Sequence, residues 1–439
     1  MKSTFVLLAA SLVSARLTHQ HLRDHSEIAK RALPDRWFQD DAHPVHQLFK
    51  RAPSTDGVKY AEVGSSTWSA AFPEGTPDVE KLPAAWVKAL DDAVAAGKIP
   101  NIPVAKDNGF DNPTYPQGVD PVSPEVCSAT YKCRVPGDVW DGPDGTFSTS
   151  FDDGPLPPST KLNSFLKANN ERATHFMIGV NIRANPKIFT ETFEMGNDIA
   201  VHTYTHPHMT AQSNKQILGQ LGWTMEIIHN STGGRIPRYW RPPFGDYDVR
   251  VRAVAREVFG LEVVIWNQDT DDWTLTEKDG TTPEKISASM NQWLTGPKSP
   301  GLIVLEHELS DQSVQAFMDA YPAIKKNGWK IGSLAKIIGD SAYQNTDPSG
   351  NVRPGIVAAN VNALNTTSSS SSSSSQSGST TSTTPSSSSS SSTSTSPSAS
   401  ATNVAASSNS NKNGGLQDAS VSFALSLLAP PCALLLSLL

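Results

Sequence analysis

Two adjacent carboxylates, Asp152 and Asp153, follow an apolar segment that ends at Phe151, and Gly154-Pro155 comes directly after them. A pair of carboxylates at such a break can divide two tasks, one binding a metal ion and the other accepting a proton. Amide hydrolysis requires both tasks. Asp, Gly and Pro are also ordinary turn residues, so the segment on its own indicates a structural loop, and other segments must decide.

Two imidazoles, His202 and His206, stand four residues apart directly after another apolar segment. This spacing brings two side chains to one face of a helical turn, within reach of one ion. Pro207 favours a strand-to-helix turn over a helix interior. With Asp153 they form the set of two imidazoles and one carboxylate typical of catalytic zinc sites. His208 is an alternative to His206, and a hydrogen-bonded histidine pair without metal is the alternative to the site.

Two more segments end apolar runs with residues that could act on a substrate. Pro242-Pro243 stiffens a turn that can aim the backbone N–H of Phe244 at an anion. Arg241 can pair with a buried carboxylate or form a structural salt bridge. His307 ends a buried segment, where it is either a structural histidine or a general acid.

An acidic loop between Trp266 and Trp273 contains three aspartates in four residues, Asp269, Asp271 and Asp272. A calcium loop is one interpretation, although the Gly and the terminal Glu of an EF-hand are missing. The favoured interpretation is that one aspartate orients an imidazole, while Trp273 provides an apolar wall or a face on which a sugar stacks.

The region from 135 to 341 alternates short β-rich segments with amphipathic ones, which predicts βα units and a parallel sheet. Six strand and helix pairs suit a barrel better than an open sheet, and the polar residues described above fall at the C-terminal ends of strands, where barrel loops converge. The expected strands are 146–151, 174–178, 199–202, 238–241, 261–266 and 302–305. The expected helices of this region are 159–170, 186–195, 213–229, 249–259, 283–294 and 313–326, and one further helix, 84–95, is expected in the N-terminal extension.

The chain begins with the features of a secretion signal, because a lysine precedes an apolar run that ends in small residues. This pattern predicts that residues 1–15 are removed, and a buried N-terminal helix is the alternative. The oxidising compartment that secretion implies favours a disulfide between Cys127 and Cys133. The N-x-S/T pattern predicts glycosylation at Asn230 and Asn365.

Composition predicts the other boundaries. Residues 16–51 contain two Lys-Arg pairs and are a candidate pro-segment or solvated surface, and 52–134 form an irregular N-terminal extension that packs on a catalytic domain at 135–345. Residues 346–413 are rich in Ser and Thr, which predicts a disordered, O-glycosylated stalk. The last segment, 414–439, ends in an uncharged apolar tail, the layout of a GPI-attachment signal that is removed. A permanent transmembrane helix is the alternative.

The overall charge excludes some classes of partner. The formal net charge is −7 over 439 residues, without the basic excess that nucleic acid or an anionic membrane surface would require. Neither nucleic acid nor a protein partner is expected. The hydrophobic content of 37% is sufficient for a globular core.

Taken in order, the five segments resemble the polysaccharide deacetylase family (NodB homology, carbohydrate esterase 4). The resemblance covers about residues 146–309 with their flanks, and the secreted, GPI-tailed setting resembles the fungal chitin deacetylases. Two positions depart from the family pattern. Ser150 replaces the common Thr, and Phe244 replaces the common Tyr, which keeps the backbone donor but removes a phenol that could meet substrate.

The resemblance implies a distorted (β/α) barrel, expected to have seven strands, that binds one divalent metal ion, zinc or cobalt. The implied activity is hydrolysis of the N-acetyl groups of chitin or chitin oligomers. The implied location is the fungal cell wall and the outer leaflet of the plasma membrane, through a GPI anchor. The alternatives are a deacetylase of another polysaccharide, xylan or peptidoglycan, and a non-catalytic wall mannoprotein or lectin.

The same resemblance implies a role for each motif residue. Asp152 would be the base, held by Arg241, and His307 would be the acid, tuned by Asp272. The backbone N–H of Phe244 would bind the oxyanion. Five further residues would bind the metal or shape the acetyl pocket: the ligands Asp153, His202 and His206, and the pocket residues Leu305 and Trp273.

Overall fold

The computed structural model describes residues 54–358. The predicted signal peptide, pro-segment and anchor signal, most of the predicted stalk and Asn365 lie outside the described residues. None of the helices between residues 54 and 358 combines the length and the hydropathy that a membrane crossing demands.

The part of the described chain before residue 135 is irregular apart from two helices and a hairpin. Helix α1 covers Ser66–Ala70, and helix α2 covers Ala84–Ala95, as the spacing of its apolar residues predicts. The antiparallel strands β1 (Lys106–Asn108) and β2 (Asp111–Thr114) form the hairpin. A disulfide joins Cys127 and Cys133 in the segment that leads from the hairpin to the barrel.

Parallel strands form the central sheet, and seven of them follow one another in the order β7-β6-β5-β4-β3-β9-β8. The last strand, β10, pairs with the first half of β3. No pairing among the described residues joins β7 to β8, so the sheet curls into an open barrel, and the predicted distorted barrel is confirmed. The strands are β3 (Thr146–Asp152), β4 (Thr174–Met177), β5 (Asp198–Val201), β6 (Tyr239–Trp240), β7 (Glu262–Val263), β8 (Gln268–Asp269), β9 (Leu302–Leu305) and β10 (Lys330–Ser333).

Helices cover the outside of the sheet, so that β3 is buried along its whole length, as expected for a parallel strand with both faces covered. The helices are α3 (Ser159–Ala168), α4 (Gly179–Ala184), α5 (Pro186–Glu194), α6 (Asn214–Ser231), α7 (Val249–Phe259), α8 (Pro283–Thr295), α9 (Asp311–Lys326) and α10 (Leu334–Ile338). Single 3-10 turns occur at Val79–Lys81, Ala129–Tyr131, Pro243–Gly245 and Asp272–Thr274.

The predicted barrel elements all form, but two strands and two short helices were not predicted. Strand β8 is only two residues long and lies in the acidic loop, and the one large apolar residue of β10, Ile331, is only partly buried, so neither strand shows an apolar run. The short helices are α4 and α10. The predicted strands 238–241 and 261–266 are each reduced to two ladder residues, because the chain turns into the site loops there.

The N-terminal segment packs against α6 through glycines. Trp86 of α2 is almost fully buried, and its ring contacts Trp223 and Phe259 edge-on at centroid distances of 5.3 and 5.8 Å. A Cβ atom added at Gly222 would lie 2.4 Å from this ring, and one added at Gly219 would lie 2.9 Å from Pro77. The glycines therefore create the groove that receives the N-terminal segment.

Replacement Gly222→Ala should destabilise the protein, although Gly→Ala inside a helix normally stabilises by about 1 kcal/mol. The added methyl group overlaps the Trp86 ring, and overpacking of this kind costs roughly 1–3 kcal/mol. Thermal unfolding measures the effect. Gly75→Ala is the matched control, because a Cβ atom added at Gly75 would meet no other atom within 4 Å. A midpoint for Gly222→Ala at or above that of the wild type would contradict this packing.

Candidate active site

Asp153, His202 and His206 converge at the mouth of the barrel. The Nε2 atoms of both imidazoles lie 3.4 Å from Oδ1 of Asp153, and one ligand atom from each residue falls within 4.8 Å of the others. Oδ1 of Asp153 is buried and has no hydrogen-bond partner within residues 54–358. A buried, unpartnered carboxylate oxygen facing two imidazole nitrogens fits a divalent ion. The cluster is compatible with such an ion.

The ligand-bearing loops are held in demanding backbone conformations. Asp153 and His206 have φ values of 74° and 60°, in the left-handed region that non-glycine residues rarely adopt. The amide of Asn181 donates to the Asp153 carbonyl at 2.8 Å. The buried side chain of Gln220, on α6, accepts hydrogen bonds from the backbone N–H groups of Tyr204 and Thr205, both at 2.9 Å. These contacts fix both loops without using the ligand atoms.

The protonation states of the cluster suit metal binding. Burial alone would raise the pKa of Asp153, but the nearby imidazoles of His202 and His206 hold it well below its usual range. Burial lowers the pKa of His206 to about 4, against the attraction of Asp153. The Nδ1–H of His202 donates to the Arg241 carbonyl at 2.7 Å, since a carbonyl can only accept, and this leaves Nε2 as the nitrogen that faces the cluster. The candidate ligand set is therefore a carboxylate that stays ionised and two imidazole nitrogens, the kinds of donor that bind a divalent metal.

Asp152, the last residue of β3, is held by Arg241. Its Oδ1 accepts a hydrogen bond from Arg241 Nη1 at 2.6 Å, and Arg241 Nη2 donates to Ser150 Oγ at 3.0 Å. The guanidinium is fully buried and lies 4.2 Å from the ring centroid of Phe176. The second carboxylate oxygen, Oδ2, lies 3.8 Å from Nε2 of His202. One oxygen of Asp152 is thus occupied, and the other faces the histidine cluster.

His307 follows β9 and forms a pair with Asp272. Its Nδ1 lies 2.6 Å from Asp272 Oδ1, and its backbone N–H donates to Asp272 Oδ2 at 2.8 Å. Burial would lower the pKa of His307, but the charge of Asp272 and its hydrogen bond outweigh burial and raise the pKa to about 10. This shift favours the imidazolium form of His307, and Nε2 is left to face the cavity.

A cavity of about 350 Å³ joins these groups. Phe244 has a φ value of 59° and its half-exposed ring stacks on His208 at a centroid distance of 4.1 Å. Trp273 is also half-exposed at the rim, whereas Leu305 is buried at the wall. The predicted site residues that line the cavity are Asp152, Asp153, His202, His206, Phe244, Trp273, Leu305 and His307. Arg241 and Asp272 complete the set through their bonds to Asp152 and His307.

The structure separates two alternatives left open by the sequence. His208 is not part of the ligand cluster, because its Nε2 donates to the Gly109 carbonyl at 2.9 Å. The aspartates of the acidic loop do not converge: Asp271 lies exposed and donates its backbone N–H to Asp269, while Asp272 turns inward to His307. Within residues 54–358 the loop forms no cation-binding group.

The predicted glycosylation site at Asn230 lies in the last turn of α6. Its side chain is only partly exposed, and its amide donates to Oε1 of Glu226 at 3.2 Å. Thr232, the third residue of the acceptor pattern, is buried. This position therefore remains a prediction from the sequence pattern.

A buried pair beneath the site was missed by the sequence analysis. His175 Nδ1 and Glu308 Oε1 lie 2.8 Å apart, and both side chains are fully buried. A Cβ atom added at Gly154 would lie 2.0 Å from Glu308 Oε1, so the turn after Asp153 rests directly on this carboxyl group. A histidine in the middle of the expected strand 174–178 is the signal that could have indicated the pair, because a strand buried on both faces must partner such a side chain. The buried pair of His175 and Glu308 therefore fixes the position of the turn that follows Asp153.

Glu306 was also given no role by the sequence analysis. It is buried, and burial followed by the nearby charge of Asp272 raises its pKa well above the usual range for a carboxyl group. Its backbone carbonyl accepts the N–H of Asp152 at 3.0 Å. A raised pKa favours the uncharged carboxyl group, which places less negative charge beside the pair of His307 and Asp272.

Residues 141–264 match the family model described as polysaccharide deacetylase, and the chain belongs to this family of hydrolases, as its motifs predict. The chain is 39% identical to chitin deacetylase 3 of Cryptococcus neoformans var. neoformans over 324 residues, which are 73% of this chain and 76% of that protein. It is 38% identical to chitin deacetylase 1 of Saccharomyces cerevisiae over 235 residues, 52% of this chain and 72% of that one.

Among solved structures, the chitin deacetylase of Colletotrichum lindemuthianum aligns with a TM-score of 0.44 at 24% identity. The alignment covers 48% of this chain and 96% of that chain.

The two neighbouring histidines provide a matched test of the ligand set. His206→Ala should weaken zinc binding by more than the 10- to 100-fold typical of losing a supporting group, because it removes a ligand atom. His208→Ala should cost no more than the 10- to 100-fold typical of a supporting group, because His208 supplies no ligand atom. Calorimetric titration of chelator-treated protein with zinc measures both. Equal losses in the two variants would contradict the assignment of His206.

Proposed function

We propose that the protein hydrolyses the N-acetyl groups of chitin or chitin oligomers and releases acetate and chitosan. Its family removes acetyl groups from polysaccharides, and the curated relatives described above carry the name chitin deacetylase. The observation that carries the proposal is that a candidate base, Asp152, and a candidate acid, His307, line the same cavity. Asp152 presents a free carboxylate oxygen, whereas His307 presents a protonated nitrogen.

Asp153, His202 and His206 would hold the divalent ion, zinc or cobalt, which when bound supplies Lewis-acid polarisation of the acetyl carbonyl and lowers the pKa of water. Asp152 accepts a proton from the attacking water at Oδ2, because Oδ1 is occupied by Arg241. General-base help of this kind contributes about 10²- to 10⁴-fold to the rate.

The departing amine needs a proton, and His307 donates it from Nε2. Its Nδ1 is fixed on Asp272, which leaves only Nε2 for the substrate. The backbone N–H of Phe244 stabilises the negative charge on the former carbonyl oxygen, as an oxyanion donor does. Leu305 and Trp273 form the apolar wall that receives the acetyl methyl group.

We propose that the protein is secreted and held at the outer leaflet of the plasma membrane and in the cell wall. The apolar start of the sequence, the Ser/Thr-rich segment and the apolar tail support this location. In this proposal the apolar C-terminal tail is removed and a GPI lipid is attached in its place. Phosphatidylinositol-specific phospholipase should release the protein from isolated membranes, and protein that stays bound after complete digestion would contradict the anchor.

The activity is tested by acetate release from N-acetylglucosamine hexamer, with acetylated xylan and peptidoglycan as competing substrates. We expect release from the hexamer, its loss with chelator and its return with zinc or cobalt. Asp152→Asn should bind zinc like the wild type but turn over at least about 10²-fold more slowly, since it lacks the base. Faster release from xylan or peptidoglycan would overturn the proposed substrate, and near-normal turnover by Asp152→Asn would overturn the assigned base.

The pH profile tests the acid. A raised pKa keeps His307 protonated, so its contribution is complete below that pKa and is lost as the pH rises through it. Asp272→Asn removes the charge that raises the pKa, and the alkaline limb of kcat/KM should therefore move to lower pH by about one to three units. Asp271→Asn changes the same charge on an exposed neighbour and should leave the limb in place. Equal profiles for both variants would exclude His307 as the acid.

A further inference from the structure

The N-terminal hairpin formed by β1 and β2 reaches the catalytic cavity. Phe110 and Asn112 line the cavity together with Asp152 and His307, although about 40 residues of sequence separate the hairpin from the first catalytic motif. Phe110 lies at the tip of the hairpin and is 98% exposed. The N-terminal segment therefore supplies an aromatic face at the rim of a site whose chemistry belongs to the barrel.

The hairpin is tied down on three sides. Its tip is held by His208, whose Nε2 donates to the Gly109 carbonyl at 2.9 Å. At its start, the N–H of Ala105 donates to the Thr210 carbonyl at 3.0 Å. At its end, the hydroxyl of Tyr131 donates to the Pro113 carbonyl at 3.0 Å. The exposure of Phe110 is thus imposed by a fixed backbone.

His208 connects the hairpin to the site loops. It is buried, its ring stacks on Phe244, and its Nδ1 lies 3.8 Å from Oδ2 of Asp246. The carboxylate of Asp246 also accepts hydrogen bonds from the backbone N–H and the hydroxyl of Thr210. One imidazole therefore bridges the hairpin tip and the turn that carries Phe244.

Under the proposed function the cavity receives the sugar that is deacetylated, and a fixed aromatic ring at its rim suits a neighbouring sugar of the same polymer. The C–H faces of pyranose rings are apolar, and an aromatic ring presents a large rigid surface to them. The Asn112 side chain, which also lines the cavity, can donate to and accept from sugar hydroxyl or acetyl groups. The position of Phe110 and Asn112 in the same cavity as the acid and the base favours a sugar of the substrate over a peptide or lipid partner.

We propose that Phe110 forms a binding subsite for a sugar unit adjacent to the one that is deacetylated, and that His208 is a positioning residue which holds the hairpin over the cleft. This inference rests on the proposed function. It assigns preference for longer oligomers to a segment outside the barrel.

The subsite predicts a length-dependent defect. Phe110→Ala should raise KM for N-acetylglucosamine hexamer about 5- to 10-fold, the effect of losing one aromatic contact. The kcat for the hexamer and the KM for the N-acetylglucosamine monomer, which has no second sugar to occupy the subsite, should be unchanged. Phe110→Trp should keep the wild-type KM. Val122→Ala is the control, because Val122 is 53% exposed and does not line the cavity. A hexamer KM for Phe110→Ala equal to that of the wild type would overturn the subsite.

A binding measurement separates this inference from the proposed function. In the Asp152→Asn background, hexamer affinity measured by calorimetry should fall about 5- to 10-fold when Phe110→Ala is added. If the wild type binds the hexamer but releases no acetate, the proposed function fails and this comparison still decides on Phe110. Equal affinities with and without Phe110→Ala would reject the subsite alone.

The role of His208 is tested by a double-mutant cycle. His208→Ala should raise the hexamer KM in the wild-type background but add no further increase to Phe110→Ala, because both act through the same ring. His208→Gln, whose amide can still donate to the Gly109 carbonyl, should restore most of the lost affinity. Additive effects of His208→Ala and Phe110→Ala on KM would overturn the positioning role.

Discussion

Arg241 organises both halves of the active site. Its side chain holds Oδ1 of Asp152 at 2.6 Å, and its backbone carbonyl accepts the Nδ1 proton of His202 at 2.7 Å. One residue therefore determines which oxygen of the base is free and which nitrogen of a ligand faces the cluster. The N–H of Arg241 donates to the Val201 carbonyl at 3.0 Å, next to His202 in sequence, so the barrel ladder itself sets this geometry.

A fully buried guanidinium is costly unless its charge is compensated. Arg241 meets this condition with the carboxylate of Asp152, the hydroxyl of Ser150 and the ring face of Phe176. The same rule applies across the cavity, where Asp272 compensates the charge of His307. The site is thus built from opposite charges held in pairs, which keeps one group basic and another acidic within the same cavity.

The sequence predicted the barrel and its cavity well, because each chemical residue follows an apolar run and the ends of parallel strands meet at one mouth. It could not identify β10, whose ladder positions carry no apolar alternation, or the contact between Glu308 and the turn at Gly154, which depends on strands distant in sequence. The choice between His206 and His208 was made on spacing alone. The role of the hairpin could not be predicted, because Phe110 stands among polar residues in the sequence. Only the fold brings Phe110 next to the catalytic cavity.

Helix α6 contacts the N-terminal segment with one face and a loop of the active site with another. Gly219 and Gly222 receive the N-terminal segment, while Gln220 holds the loop of His206. A protein shortened to begin at residue 135 would retain every side chain assigned to chemistry, yet it would expose the groove that Trp86 fills and lose the ring that Phe110 places at the rim of the cleft. The barrel and the N-terminal segment therefore depend on each other. A chimera that exchanged the barrel between two relatives would have to exchange the N-terminal segment with it.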